Sequence, residues 1–217
     1  MIITLRLIIV FLILGLPAFA QDNQSALWNY HTGRDLERRN RMSEAEHYYN
    51  EAIRICYNEI FWNEASRDTY TALTWALRRQ ENYTEVIFWG ERALASFADE
   101  YRVVQTMGEA YFYLNNFDQS LRFMQRYINS EPQGERAAVS YFFIGEIYRF
   151  RRQFRHADIA YSTAVRLEPG SALWWYRLGS VREAFGDLSQ AANAYERALV
   201  LNPNYQQAIT GLERSSR

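Results

Sequence analysis

Residues 138–171, AVSYFFIGEIYRFRRQFRHADIAYSTAVRLEPGS, run directly into residues 172–205, ALWWYRLGSVREAFGDLSQAANAYERALVLNPNY. Aligned, the two stretches place Gly179 34 residues after Gly145. Trp175 falls on Tyr141, Leu178 on Ile144, Ala191 on Ala157, Tyr195 on Tyr161, Ala198 on Ala164 and Pro203 on Pro169. Self-similarity at a fixed period of a few tens of residues marks stacked supersecondary units rather than one closed core.

Working towards the N-terminus, residues 101–134 keep Met107, Gly108, Tyr111, Phe117 and Pro132, then need about three extra residues around Gln133-Gly134-Glu135, read as a longer loop. Residues 67–100 keep Tyr70, Leu73, Leu77, Tyr83 and Ala93, but carry Thr74 at the glycine position and Gly90 where the second helix usually has an aromatic. Residues 26–59 keep Gly33, Leu36, Ala45, Tyr49 and Ala52, and about seven additional residues around Ile60–Ser66 are again expected to form a loop. Small residues at positions 8, 20 and 27 let two antiparallel helices cross closely, and large ones at positions 4, 7, 11, 17 and 24 fill the space towards the next pair. After Pro203, Tyr205, Ala208, Ile209 and Leu212 share one helical face, which predicts a capping helix over 206–215. The expected total is eleven helices and no strand.

The run Trp175, Leu178, Gly179, then Ala191, Tyr195 and Pro203, resembles the tetratricopeptide repeat (TPR) family, whose signature joins a W-x2-L-G-x2-Y helix to an A-x3-F helix closed by proline. The resemblance covers about residues 26–214. It implies an all-α, right-handed α-solenoid of about five helix pairs plus the C-terminal capping helix. In this family the concave surface is lined by the first helix of each repeat, mainly at positions 2, 5, 9, 12 and 13. Carried onto this chain, those positions give a candidate peptide-binding groove of Tyr30, Arg34 and Arg38; Trp75, Arg78 and Arg79; Arg102, Phe112 and Tyr113; Phe142, Arg149 and Phe150; and Tyr176. Aromatics and arginines are enriched at binding hot spots because they join apolar area to a fixed polar or charged handle. The competing account is packing, since 16% of the chain is aromatic.

Some TPR proteins clamp a C-terminal carboxylate with lysines, arginine and asparagines. This chain has Tyr30 and Arg34 where lysine and asparagine would be expected, and it contains no lysine at all; its 24 basic residues are all arginine. That ligand is therefore not carried over. Arg34, Arg38, Arg78 and Arg79 are candidates for pairing with an acidic segment, against which stands their neutralisation by Glu37 and Asp68.

Residues 1–20 read as a signal peptide: Arg6, an apolar stretch from Leu7 to Leu16, Pro17, and the small-x-small triplet Ala18-Phe19-Ala20 before Gln21. An uncleaved anchor is the rival, but the apolar core is short for a span of about 20 residues, and no cysteine follows the site to carry a lipid. The domain is then 21–217, with no membrane insertion after cleavage, in an exported compartment, for which the resemblance favours the bacterial periplasm. The near-balanced charge, with no basic block, argues against nucleic acid. Cys56 is the only cysteine, so no intramolecular disulfide forms, and a buried inert thiol is the default.

His31, His47 and His156 have no metal-ligand spacing, and no nucleophile elbow, phosphate loop or paired-cysteine site appears. Neither cofactor nor catalysis is expected. The resulting expectation is a scaffold that holds a peptide or helix of another envelope protein. The alternative is a homo-oligomeric or transporter-accessory protein whose groove is filled by another copy or a small hydrophobic ligand.

Overall fold

The computed structural model describes residues 25–216, so the leader expected at 1–20 lies outside the described residues. Among those described there are eleven α-helices and no strand: α1 (Ala26–Arg38), α2 (Met42–Phe61), α3 (Arg67–Arg79), α4 (Tyr83–Ser96), α5 (Tyr101–Tyr113), α6 (Phe117–Ser130), α7 (Ala137–Phe150), α8 (Phe154–Leu167), α9 (Ala172–Ala184), α10 (Leu188–Leu201) and α11 (Gln206–Ser215). Each helix packs on the next in sequence. In addition α1 meets α3, α3 meets α5, α5 meets α7 and α9 meets α11. The substantial contacts across two positions all belong to odd-numbered helices, so these crowd the inside of a curve while the even-numbered helices fan out along its outside. The chain is a helical solenoid whose concave face is built from α1, α3, α5, α7 and α9.

The glycine register has a direct steric cause. A Cβ added at Gly145 would lie 2.5 Å from the Tyr161 ring, one at Gly179 2.7 Å from Tyr195, and one at Gly33 2.7 Å from Tyr49. Only a hydrogen fits where the ring of the second helix presses onto the first. Each of these tyrosines then donates its hydroxyl hydrogen to a carboxylate on the first helix: Tyr49 to Glu37 at 2.7 Å, Tyr195 to Glu183 at 2.6 Å, and Tyr161 to Glu146. Shape and polarity thus fix the same crossing. The second repeat inverts the small and large positions. Thr74 stands where the glycine would be, its hydroxyl turned back onto the Tyr70 carbonyl at 2.8 Å, and a Cβ at Gly90 would lie 2.5 Å from Met107 Sδ. Met107 of the following repeat fills the space an aromatic at position 90 would have taken.

A second regularity sits in the turns between paired helices. The fifteenth residue of each repeat is left-handed: Asn40, Glu81, Asn115 and Arg152 at φ between 57° and 59°, and Gly186 at 90°. That conformation stops the first helix and swings the chain back over it. Glycine and asparagine tolerate it; glutamate and arginine do so at a cost.

The expected loop at Ile60–Ser66 is partly helical, a correction to the sequence reading. Residues 60 and 61 continue α2, which reaches 20 residues against the 14 of the other second helices. Nothing between Ile55 and Trp62 breaks a helix; the first stop is Asn63, at φ 60°. Ser66 then caps α3 in a reciprocal box with Thr69. After the third repeat the extra residues do form a loop. It is pinned where the Tyr127 hydroxyl accepts the Arg136 backbone N–H at 3.2 Å, and Gly134 lies so near that hydroxyl that a Cβ would be 2.4 Å away.

Candidate functional site

The first three inner helices and the 131–136 connector enclose a cavity of about 700 Å3. α1 contributes Tyr30, His31 and Arg34; α3 contributes Trp75, Arg78 and Arg79; the start of α5 contributes Tyr101, Arg102, Gln105 and Thr106, with Asp99 and Glu100 just ahead of it. The far wall is Tyr127 with Glu131, Gly134, Glu135 and Arg136. Six of the residues expected from repeat position therefore share one cavity: Tyr30, Arg34, Trp75, Arg78, Arg79 and Arg102.

They differ in what they offer a ligand. Tyr30 is only 3% exposed, its ring centroid 5.1 Å from Trp75 and 5.8 Å from Tyr49, so it is floor rather than handle. Trp75 lies half-buried over that floor, beside the exposed His31. Most of the arginines are already engaged. Arg79 pairs with Glu37 at 3.0 Å, and Arg102 reaches Glu100 at 2.7 Å and Asp68 at 2.9 Å. The hydrogen bonds that Arg102 donates to Glu100 are the main cause raising its guanidinium above the ordinary value.

Beneath them Glu109, 2% exposed, takes Arg78 at 3.1 Å, the Arg136 guanidinium, and a hydrogen bond donated by Gln105 Nε2 at 2.6 Å. Burial alone would push this carboxyl up. The two guanidiniums and the amide outweigh it and hold the group below the usual carboxylate range. Glu109 is thereby a buried staple joining the second repeat, the third, and the connector that follows it.

Three charges on the cavity wall stay uncompensated. The Arg34 guanidinium has no described carboxylate partner and lies 5.9 Å from the Tyr30 ring centre. Glu131 and Glu135 make no ion pair with any described residue, and Arg136 beside them is turned inward to Glu109. Both carboxylates add to the upward push on the Tyr127 hydroxyl, of which burial is the main cause.

The other expected residues lie elsewhere. Arg38 pairs with Asp35 at 3.1 Å on an exposed face. Tyr113 stacks on Tyr83 of the preceding repeat at 4.7 Å. Phe112 meets Phe143 at 4.9 Å, and Phe150 stacks on Phe117 at 5.4 Å with the Arg149 guanidinium 4.5 Å from its ring centre. Arg149 is also bound to Glu146 at 2.7 Å, and Phe142 stacks on Trp174 at 5.2 Å. Tyr176 lines a separate shallow depression with Gln206, Gln207, Thr210 and Arg214.

Repeat-position reasoning placed Glu109 on the inner face, at position 9 of the third repeat, but left out Glu100, Glu131, Glu135, Arg136 and His31. The three extra residues before the fourth repeat were the available signal, because insertions in repeat arrays tend to fall on one face. Cys56 is fully buried, donates to the Thr69 carbonyl at 3.2 Å, and is pushed far up by burial, so its thiolate is suppressed. Among the described residues no group of three or more His, Cys, Asp or Glu is arranged to hold a metal ion, and no helix is long and apolar enough to cross a membrane.

Two family models, each described as a tetratricopeptide repeat, match this chain, one over residues 144–208 and the other over 106–134. A search of curated proteins returns no match. Among solved structures, MamA superposes over 66% of this chain and 82% of its own, with a TM-score of 0.60 and 17% identity. MamA 41-end from Desulfovibrio magneticus RS-1 does so over 83% and 96%, at 0.59 and 17%. YrrB, described as a TPR protein with an unusual peptide-binding site, does so over 87% and 92%, at 0.58 and 16%. At these identities the likeness is one of fold.

Proposed function

This chain carries tetratricopeptide repeats, and from that premise we propose that it is a non-catalytic protein-interaction scaffold of the cell envelope. Its concave groove takes an extended peptide or a helix of a partner protein. The observation that carries the reading is the cavity of about 700 Å3, bounded by three inner helices and the connector and floored by Tyr30 and Trp75. A volume of that order suits a few side chains of a ligand, and an aromatic floor with charged walls is the usual composition of a binding hot spot. The peptide-binding site named for YrrB, a protein of the same fold, points the same way. The envelope assignment rests on the leader-like pattern of residues 1–20.

Photo-capture in the native host tests it. Benzoylphenylalanine placed at position 31, exposed on the cavity wall, is expected to give one dominant adduct that is absent when the probe sits at position 190 on α10. Equal labelling from both positions, or none from position 31, sinks the groove reading. Adducts of the chain with itself alone would replace the partner by a second copy.

A further inference from the structure

The cavity wall looks like a receptor for acids, since five arginines line it. Its charge balance points the other way. Arg78, Arg79, Arg102 and Arg136 are each held by a carboxylate of the fold, at 3.1 Å or less. Drawing any of them onto a ligand would strip a counter-charge from the protein, and for Arg78 and Arg136 that counter-charge is the buried Glu109. Breaking such a buried pair costs more than a new surface pair returns. What the wall has to spend on a partner is Arg34 on α1 and, across the cavity, Glu131 and Glu135 on the connector.

From this residue of charge we infer that the groove selects an extended peptide segment carrying a basic side chain, which docks between Glu131 and Glu135, with an acidic group towards Arg34 at the opposite end. The inference rests on the peptide-groove reading above and adds its ligand chemistry and polarity. Packed helices stand about 10 Å apart, so α1 and α5 are separated by about 20 Å, and the connector, which leads on into α7, lies up to about 10 Å further. An extended chain rising about 3.3 Å per residue covers that span with about six to nine residues. The side chains between the two charged ends would lie over Trp75.

The test uses the full chain and dye-labelled peptide pools of about six to nine residues with randomised centres, read by fluorescence anisotropy at low salt. One pool has Arg and Glu fixed at opposite ends, in both directions; a second has Glu at both ends; a third has Gln at both ends. The Arg/Glu pool is expected to bind about tenfold tighter than the Gln pool, the gain of a charge-assisted contact. Added salt should shrink that advantage. In the double variant Glu131→Gln/Glu135→Gln the advantage should shrink to the part that Arg34 supplies while the melting temperature stays put, since both positions are exposed; Arg34→Gln added to it should remove the rest. Preference for the Glu pool, equal binding of all three, or an advantage undiminished in the double variant overturns the charge assignment and leaves the groove standing. No binding by any pool, together with no capture from position 31, overturns both.

Discussion

The two halves of the solenoid obey the period unequally, and the half that obeys it less holds the cavity. In the fourth and fifth repeats the glycine-tyrosine crossing is intact, and a family model spans residues 144–208. The inner face there is closed: Phe142 stacks on Trp174, and Glu146 gathers both Arg149 and Arg177. In the first three repeats the pattern is broken by Thr74, by Gly90 and by the residues inserted before α7, and there the inner face opens into a chamber. Consensus positions encode how one helix pair rests on the next; binding surface arises where that demand is relaxed. Both halves also bury a carboxylate between two guanidiniums, Glu109 in the N-terminal half and Glu146 in the C-terminal half, but only Glu109 draws one of its partners from the inserted connector.

The sharpest way to break that contrast is Glu109→Gln. It leaves Arg78 and Arg136 without their counter-charge and should cost about 3 kcal/mol, measured by chemical denaturation at neutral pH. Because the Glu109 carboxyl is held below its ordinary 4.5, its contribution is complete above that value and fades as pH falls through the folded value. Wild type should therefore lose more melting temperature than the Gln variant between about pH 6 and pH 3. Equal loss would mean that the staple is not what holds the N-terminal half.

Next in size is Gly145→Leu, which drives a side chain into the Tyr161 ring and should cost about 1–3 kcal/mol in a thermal melt. The same change at Gly170, where nothing lies within 4 Å of a new Cβ, should be close to silent. If the two were alike, shape would not be what secures the C-terminal half. Smallest is Arg152→Gly at the left-handed turn. It relieves a conformation that only glycine adopts freely and should raise stability by about 0.5–1 kcal/mol; no gain would show that the flanking helices already absorb the strain.

The helix pairs were legible because a hard-sphere contact recurs at a fixed interval, as Gly33, Gly145 and Gly179 show. Capture of Arg79 by Glu37 was also visible as the bland alternative to ligand binding, whereas Asp68, expected to neutralise the arginines of the first two repeats, takes Arg102 of the third. Two things escaped. Glu109 falls at a concave position, but its pairing draws on the preceding repeat and on the insertion, and Arg136 belongs to no repeat position, so no periodic rule brings the three together. Phe112, Tyr113 and Phe150 lie at nominally concave positions near the ends of their helices, where the ring reaches the adjacent repeat before it reaches the groove.

Every cation in the ties between repeats, such as Arg102 to Asp68, Arg151 to Asp118 and Arg214 to Glu183, is a guanidinium, and the chain has no ammonium side chain to substitute for one. A lysine would discharge near pH 10; arginine does not. The hydroxyls of Tyr49, Tyr161 and Tyr195 are likewise pushed up, by burial first and by their carboxylate partners second. Alkali therefore finds little in these seams to neutralise, whereas acid finds Glu109 and Glu183, both held below the ordinary carboxylate value by their arginines. The coil is built to keep its pitch in a basic medium and to loosen at those two joints in a sour one.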